Sequence, residues 1–291
     1  MNSNLLSMLS FYAVSPIHAG SGAATSHVDL PIQRERHTNW PHIQSSGVKG
    51  AIRAHYRECA SEKEKKEINY IFGSDMDNDG KQEGNDEGLA SIVSFSDANL
   101  LAFPMRSNVA PFVWVTCPAV LKRLAVNQRL VGMEEIKCPK EPAEEQAYIM
   151  NGAFSESVLL EDAVVRVEEE PLDVNWPDGF PETDRLLLIS DSMFDYAVSH
   201  CTEIQTNIKI NHEKGTAKEG GLRYQELLPA DSILYSVVNF SGRVLEEGNE
   251  FKADMVQKYI QKVLSGFMQI GGDDTLGRGI CRIEWIQGGK L

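Results

Sequence analysis

Two hydrophobic rhythms run along this chain, a period of two and a period near 3.6, and they divide it into strands and helices. Leu9, Phe11 and Ala13 alternate with Met8, Ser10 and Tyr12, which predicts a first strand over 8–14. It runs into Ser15-Pro16-Ile17-His18-Ala19-Gly20-Ser21-Gly22, where glycine and serine permit tight turns and close backbone approach. A helix is expected from a cap at Ser45 or Ser46. Val48, Ile52, His55, Tyr56 and Cys59 share one of its faces, and Lys49, Arg53 and Arg57 recur every four residues on another. Ser61-Glu62-Lys63-Glu64 reads as a capping box opening a short helix to about Phe72.

Further on, strands are expected at 91–96 and 111–116, and a helix from Pro118 to about Gln128. Residues 157–168 read as one strand, 186–190 as a fully apolar strand and 191–201 as a helix. Residues 204–210 and 222–228 flank a polar tip, which predicts a projecting hairpin carrying Lys209, His212, Lys214, Lys218 and Arg223. A strand at 233–240, a long amphipathic helix over 255–267, a glycine-rich loop at 271–279 and a strand at 280–286 complete the chain. An early βαβ unit and a later one imply an α+β fold with a ferredoxin-like, RRM-like core and large insertions. The 291 residues fit a single domain, 1–291, with an acidic loop at 73–90, an acidic insertion at 134–185 and the hairpin at 202–229 set into it.

Charge alters this picture. The net charge of −14 speaks against a nucleic-acid ligand. However, residues 75–87 carry −5 and residues 134–184 carry −12, leaving the rest of the chain at +3. The acidity is confined to two blocks, and a local RNA-binding face is compatible with the remainder. No apolar run reaches the roughly 18 to 20 residues of a membrane helix. The first residues lack a basic leader and read as a strand rather than a signal peptide. Five scattered cysteines without a CxxC pair point to a reduced, cytoplasmic protein without a zinc site.

Candidate chemistry concentrates in residues 27–53. Asp29 stands alone in an apolar-flanked turn. Gln33, Arg34, Arg36 and His37 follow, then Trp40-Pro41, then the helix start at Ser45-Ser46-Gly47 with Lys49 and Arg53 behind it. A carboxylate, a run of cations and a helix N-terminus together suit phosphate handling. Asp75, Asp77, Asp79, Gly80, Glu83 and Asp86 approach a calcium-loop register, but Lys81, the final Asp and the strand-like continuation favour a solvated acidic loop. The glycine loop ending at Arg278 offers backbone amides and a guanidinium to phosphates. Without a following GKS or GKT it is not a nucleoside-triphosphate loop. Asp273 and Asp274 are rival metal ligands that read more simply as solvated turn acids.

Three segments resemble a known family. They are Pro16-Ile17-His18-Ala19-Gly20-Ser21-Gly22 with Val28-Asp29-Leu30-Pro31-Ile32-Gln33-Arg34; His37-Thr38-Asn39-Trp40-Pro41 with Ser45-Ser46-Gly47-Val48-Lys49-Gly50-Ala51-Ile52-Arg53; and the 271–279 loop. They are similar to the RAMP superfamily of CRISPR effector subunits, specifically the Cas-seven-type backbone proteins and, among them, the fourth subunit of type III-B Cmr complexes. The helix start departs from the family pattern, with Gln44 before the serines and Gly47 in place of leucine.

The resemblance implies copies arrayed along a guide RNA beside other Cmr subunits, with no membrane involved. Each copy would push the hairpin through the guide–target duplex as a thumb and cut the target RNA, using a transient divalent metal, Mg²⁺ or Mn²⁺. It makes Asp29 the cleavage-site acid and metal holder, with His18 and Glu226 nearby. It makes Arg34, Arg36, Ser45, Ser46, Lys49, Arg53, Lys209, His212 and Arg278 the RNA contacts. The chemistry needs little: a ribose 2′-OH attacks the adjacent phosphate once the strand is bent in line, and a hydrated Mg²⁺ needs only one or two carboxylates. His18 suits acid–base work near neutral pH, or stacking on RNA. Two rival functions stand beside this: a non-catalytic guide-binding subunit, and a metal-free RNA-processing endoribonuclease that uses His18.

Overall fold

The computed structural model describes residues 4–24, 28–61, 67–74, 89–137, 140–244 and 250–287. The calcium-like stretch and most of the acidic loop at 73–90 lie outside these residues, as does the capping box beyond Ser61. The chain begins β1 (Leu5–Ala13), β2 (His42–Ile43), α1 (Ser45–Cys59), α2 (Ile68–Phe72), β3 (Val93–Phe95), β4 (Ala98–Met105), β5 (Val113–Thr116) and α3 (Pro118–Leu130). It continues through β6 (Gln146–Asn151), β7 (Ser157–Leu160), β8 (Ala163–Glu168), β9 (Leu186–Ile189) and α4 (Asp191–His200). The last part holds β10 (Glu203–Asn211), β11 (Thr216–Leu227), β12 (Ile233–Phe240), β13 (Arg243–Val244), β14 (Glu250–Phe251), α5 (Ala253–Val263), β15 (Gly266–Gln269), a 3₁₀ turn (Asp274–Leu276) and β16 (Ile280–Gln287).

Among the described residues, twelve strands form one mixed sheet in the order β15-β16-β1-β12-β4-β5-β9-β6-β8-β7, with β2 on β4 and β3 on β12. β1 is its hinge strand, paired antiparallel to both β12 and β16. Both faces of β1 are buried, as expected where each side is covered. On one face Gln257 of α5 donates to Ser7 Oγ at 2.7 Å, and α5 meets α1 through the rings of Tyr259 and Tyr56, 5.6 Å apart. On the other face Ser10 Oγ donates to the Gly179 carbonyl at 3.1 Å, and Phe180 meets Tyr235 edge-on. Part of the acidic insertion therefore closes the second face of the sheet, with Leu172 and Phe180 buried in the core.

Several elements differ from the sequence expectation. Residues 157–168 form a hairpin, not one strand, because Glu161 takes a left-handed φ of 54° and returns the chain. The phase of the buried positions shifts there, from Val158 and Leu160 to Val165 and Val167. The last helix stops at Val263, and Gly266, with φ of 86°, turns Phe267 into edge strand β15. Strand β4 is buried on both faces, and β6 alternates in burial but carries Tyr148 and Met150 on its outer face, so both escape a periodicity reading. In α1, Val48, Ile52 and Tyr56 are buried but Cys59 is exposed. Neither serine caps α1: Gln44 is the N-cap residue, with no side-chain cap bond. The Ser45 N–H instead donates to Asp97 Oδ1 and the Gln44 N–H to Gln33 Oε1, both at 2.7 Å. The acceptors come from distant segments, so the cap is tertiary and invisible to a local motif.

The connector between the two halves of the 27–53 stretch is held firmly. Arg123 of α3 grips Glu35 with bonds of 2.6 and 3.0 Å and lies over the Trp40 ring at 5.1 Å. Trp40 Nε1 donates to Asp195 of α4 at 2.5 Å, and its ring meets Phe194 edge-on at 5.3 Å. Burial alone would raise the Glu35 pKa, but the bonds from Arg123 and Thr38 and the Arg123 charge bring it below the ordinary 4.5.

Two outcomes follow for stability. A depressed carboxylate stabilises the fold above its unfolded pKa, and that contribution is lost as pH falls through the folded value. Denaturant melts of Glu35→Gln should therefore lie about 1–3 kcal/mol below wild type at neutral pH, with the gap closing as pH falls below the ordinary value of 4.5. Gly279 has φ of 71°, and a Cβ there would sit 1.9 Å from the Ile270 carbonyl oxygen. Thermal unfolding of Gly279→Ala should reveal a loss of about 2–4 kcal/mol.

Candidate functional site

β10 and β11 leave the sheet as an antiparallel hairpin whose outer two-thirds is exposed, with a bulge between Ile208 and Ile210. Burial begins at Gln225, Glu226 and Leu227. Three loops converge on this base. Loop 16–22 is tied to it by reciprocal bonds between Ile17 and Leu228, each 2.9 Å. Loop 28–34 pairs with β11, the Leu30 N–H donating to Tyr224 O at 3.1 Å and the Glu226 N–H to Leu30 O at 3.0 Å. The glycine loop 271–279 lies against the first, the Gly272 N–H reaching His18 O at 2.8 Å and the Gly279 N–H reaching Pro16 O at 2.9 Å. Gly271 permits this approach, since a Cβ there would stand 2.7 Å from His18 O.

The loops bring several predicted residues together. Asp29 is half-buried, and its Oδ2 accepts the Tyr224 N–H at 2.8 Å. Its second oxygen has no hydrogen bond to a described residue. His18 Nδ1 lies 2.9 Å from the Glu226 carbonyl oxygen. A carbonyl only accepts, so in the neutral ring Nδ1 carries the proton and Nε2 is the basic nitrogen. That Nε2 faces Gly20, where a Cβ would lie 2.8 Å away.

Glu226 is buried and fully engaged. Its Oε1 accepts from Arg34 Nη2 at 2.5 Å and Thr202 Oγ1 at 2.8 Å, and its Oε2 accepts from the Ile32 N–H at 3.1 Å. Arg34, which the sequence points to as an RNA contact, turns inward. Its Nη1 donates to the carbonyls of Asn39 and Val198 at 2.8 and 2.9 Å. Two glutamines that sequence reading did not single out clasp the glycine loop: Gln225 donates to Asp273, and Gln205 accepts from Arg278. Their position at the buried end of an otherwise exposed alternating hairpin is the signal that marks them.

Other predicted residues lie apart. Ser45, Ser46, Lys49 and Arg53 belong to α1, beyond the connector. Gln33 links the two places, donating to Gly20 O at 3.1 Å while accepting the Gln44 N–H. Lys49 is half-buried, and burial, then the charge of Arg53, lowers its pKa. Arg53 donates to Asn69 of α2 at 2.9 Å. Arg36 is exposed, and Lys209 and His212 stand exposed far out on the hairpin.

Among the described residues no group of three or more His, Cys, Asp or Glu side chains converges as a metal cage would. The donor set at Asp29 fits a different arrangement, a hydrated divalent ion held by one carboxylate with the remaining ligands from water and RNA. No described helix is long and apolar enough to cross a membrane.

Known proteins share this architecture. The RAMP superfamily model matches residues 10–282. The CRISPR system Cmr endoribonuclease Cmr4 of Pyrococcus furiosus is 30% identical, over 95% of this chain and 94% of its own length. The CMR subunit Cmr4 of Saccharolobus solfataricus is 26% identical, over 94% of each. The crystal structure of oligomeric Cmr4 from Pyrococcus furiosus has a TM-score of 0.70 at 23% identity, covering 98% of both chains. A chain in the type III-B Cmr-beta complex bound to cognate target RNA has a TM-score of 0.74 at 21% identity, again covering 98% of both. The chain belongs to the RAMP superfamily and, within it, to the Cmr4 family.

Proposed function

We propose that this protein is a repeated backbone subunit of a type III-B RNA-guided effector, acting in the cytoplasm, that holds guide RNA along α1 and cleaves the paired target RNA at Asp29. Its partners on this reading are guide RNA, target RNA, other Cmr subunits and further copies of itself. Support for assembly comes from relatives described as oligomeric and as part of a Cmr complex bound to target RNA. Support for cleavage comes from a relative named an endoribonuclease. The order β16-β1-β12-β4, antiparallel throughout, with α1 between β1 and β4 in sequence and α5 between β12 and β16, supports a ferredoxin-like core within one domain.

One observation carries the reading. The Asp29 carboxylate is fixed to the Tyr224 N–H, at the point where the hairpin leaves the body. An RNA strand bent around the hairpin would pass this point. Bending brings the 2′-OH into line with the scissile phosphate, which is most of what the reaction requires. His18, fixed through Nδ1, presents Nε2 as a base for the 2′-OH proton as the P–O2′ bond forms and the P–O5′ bond breaks, with solvent water protonating the departing 5′ oxygen. When bound, a divalent ion held by Asp29 would stabilise charge on the phosphate oxygens. Asn207 donates to Gln225 at 2.9 Å, and Gln225 is bonded to Asp273, so the root of the hairpin is held rigid beside the carboxylate.

His18 Nε2, which has no hydrogen bond among the described residues, also favours a second reading, metal-free acid–base cleavage by His18. In a reconstituted guide complex, Asp29→Asn should leave target affinity within about twofold and lower single-turnover cleavage by roughly 100-fold or more. EDTA should abolish wild-type cleavage; persistence of cleavage in EDTA would select the metal-free reading, and normal cleavage by Asp29→Asn would remove Asp29 from the reaction. Lys49→Ala should weaken guide binding uniformly across sequences and reduce the slope of log affinity against log salt by about one.

A further inference from the structure

Glu226 and Arg34 sit at the centre of the site without an outlet to it. Their side chains are 8% and 15% exposed, and the bond between them is 2.5 Å long. Glu226 hydrogen-bonds both reactive loops. Its carbonyl orients His18, its N–H holds Leu30, and its carboxylate holds the Ile32 N–H and Arg34 on either side. Arg34 extends the link to the C-terminal end of α4 through Val198 O, and to the connector through Asn39 O.

From this geometry we infer that Arg34 and Glu226 form a buried positioning pair that sets Asp29 and His18 for cleavage, and that neither reacts nor contacts RNA. This rests on Asp29 being the cleavage acid. A carboxylate whose two oxygens already accept three bonds has little capacity left for a metal ion or a proton in transit. A guanidinium with three internal acceptors has likewise exchanged water for protein and is not presented to a phosphate. Arg is the residue suited to this role, because its planar fork meets a carboxylate and two carbonyls at fixed angles, which a lysine ammonium does not reproduce. The pair is well placed to matter, since a displacement of about 1 Å at a reacting group costs on the order of 100-fold in rate.

Two conservative variants test the pair in the reconstituted guide complex, with thermal unfolding measured alongside, because removing one member of a buried pair outright risks the fold. Glu226→Gln keeps the size of the side chain and one acceptor oxygen, enough for Thr202 or for the Ile32 N–H but not for both, and removes the charge that holds Arg34. Its cleavage should fall by less than about tenfold, with the wild-type pH profile, whereas Asp29→Asn falls by roughly 100-fold or more. Arg34→Lys keeps the charge and loses the fork. Its cleavage at saturating RNA should fall by about 10- to 100-fold, with guide and target affinity and salt slope unchanged and unfolding within a few degrees of wild type. Adding Arg34→Lys to Asp29→Asn should lower the rate no further, as expected of groups acting through one another.

The inference is overturned if Glu226→Gln falls as far as Asp29→Asn or loses a limb of the pH profile, which would make Glu226 a reacting carboxylate. It is equally overturned if Arg34→Lys cleaves like wild type, or if its defect is a loss of RNA affinity that saturating RNA restores. Failure of the site itself gives a separate result: Asp29→Asn would then cleave normally, whatever the pair does.

Discussion

The strand end at 224–226 is asked to do two things, and much of the molecule follows from that. Its backbone closes the hairpin ladder with β10, and at the same residues it is the edge on which loop 28–34 lies. A strand has hydrogen-bonding groups on two sides, so the two demands do not compete. The consequence is mechanical: the loop bearing Asp29 cannot shift without moving the root of the hairpin. On the proposed function, a carboxylate carried by a free loop would have to be ordered at each turnover. Here the ordering is built into a ladder that also positions the projecting element.

The same economy appears in where RNA can and cannot go. In sheets of this topology an open face is a natural platform for bases. In this protein both faces of β1 are covered, one by α5 and the other by residues around Gly179 and Phe180. The available surface is therefore at the end of the strands and along the hairpin, not across the sheet. Electrostatics points the same way. The acids at 134–184 dominate the net charge, but screening limits their reach to about 8–10 Å at physiological salt. A polyanion at the hairpin is therefore screened from all but the nearest of them, such as Glu161 and Asp162 beside Cys201.

Much of this was legible in the sequence, for a definite reason. β1 and the first arm of the hairpin show a period of two, β12 is a compact apolar run of strand length, and α1 has an unbroken apolar stripe through Val48, Ile52 and Tyr56. The loops at 16–22 and 28–34 stood out because glycine, proline and isolated polar residues are unusual so close to a core strand. What stayed hidden depended on distance in sequence. Asp97 at the start of α1 is 52 positions from its partner Ser45, and Arg34 meets a glutamate 192 positions away. Its place in the basic run after Asp29, and the family resemblance, marked Arg34 as a phosphate ligand. Only the fold shows that the charge is balanced internally. The helix ending at Val263 was obscured differently, because Phe267 continues the helical rhythm by chance while Gly266 has already turned the chain.

The Asp97 contact also changes what α1 can offer an RNA backbone. A helix N-terminus attracts phosphate through unpaired N–H groups and partial positive charge. At α1 the first of those N–H groups already has a carboxylate on it, and a fixed negative charge there opposes part of the dipole. On the proposed function, guide affinity along this helix would depend less on its end than on its side, on Lys49 and its neighbours a turn or more inside. Lys49 is itself partly desolvated, with Arg53 close enough to disfavour its charge. A phosphate arriving between these two cations would relieve their repulsion as well as gain its own attraction.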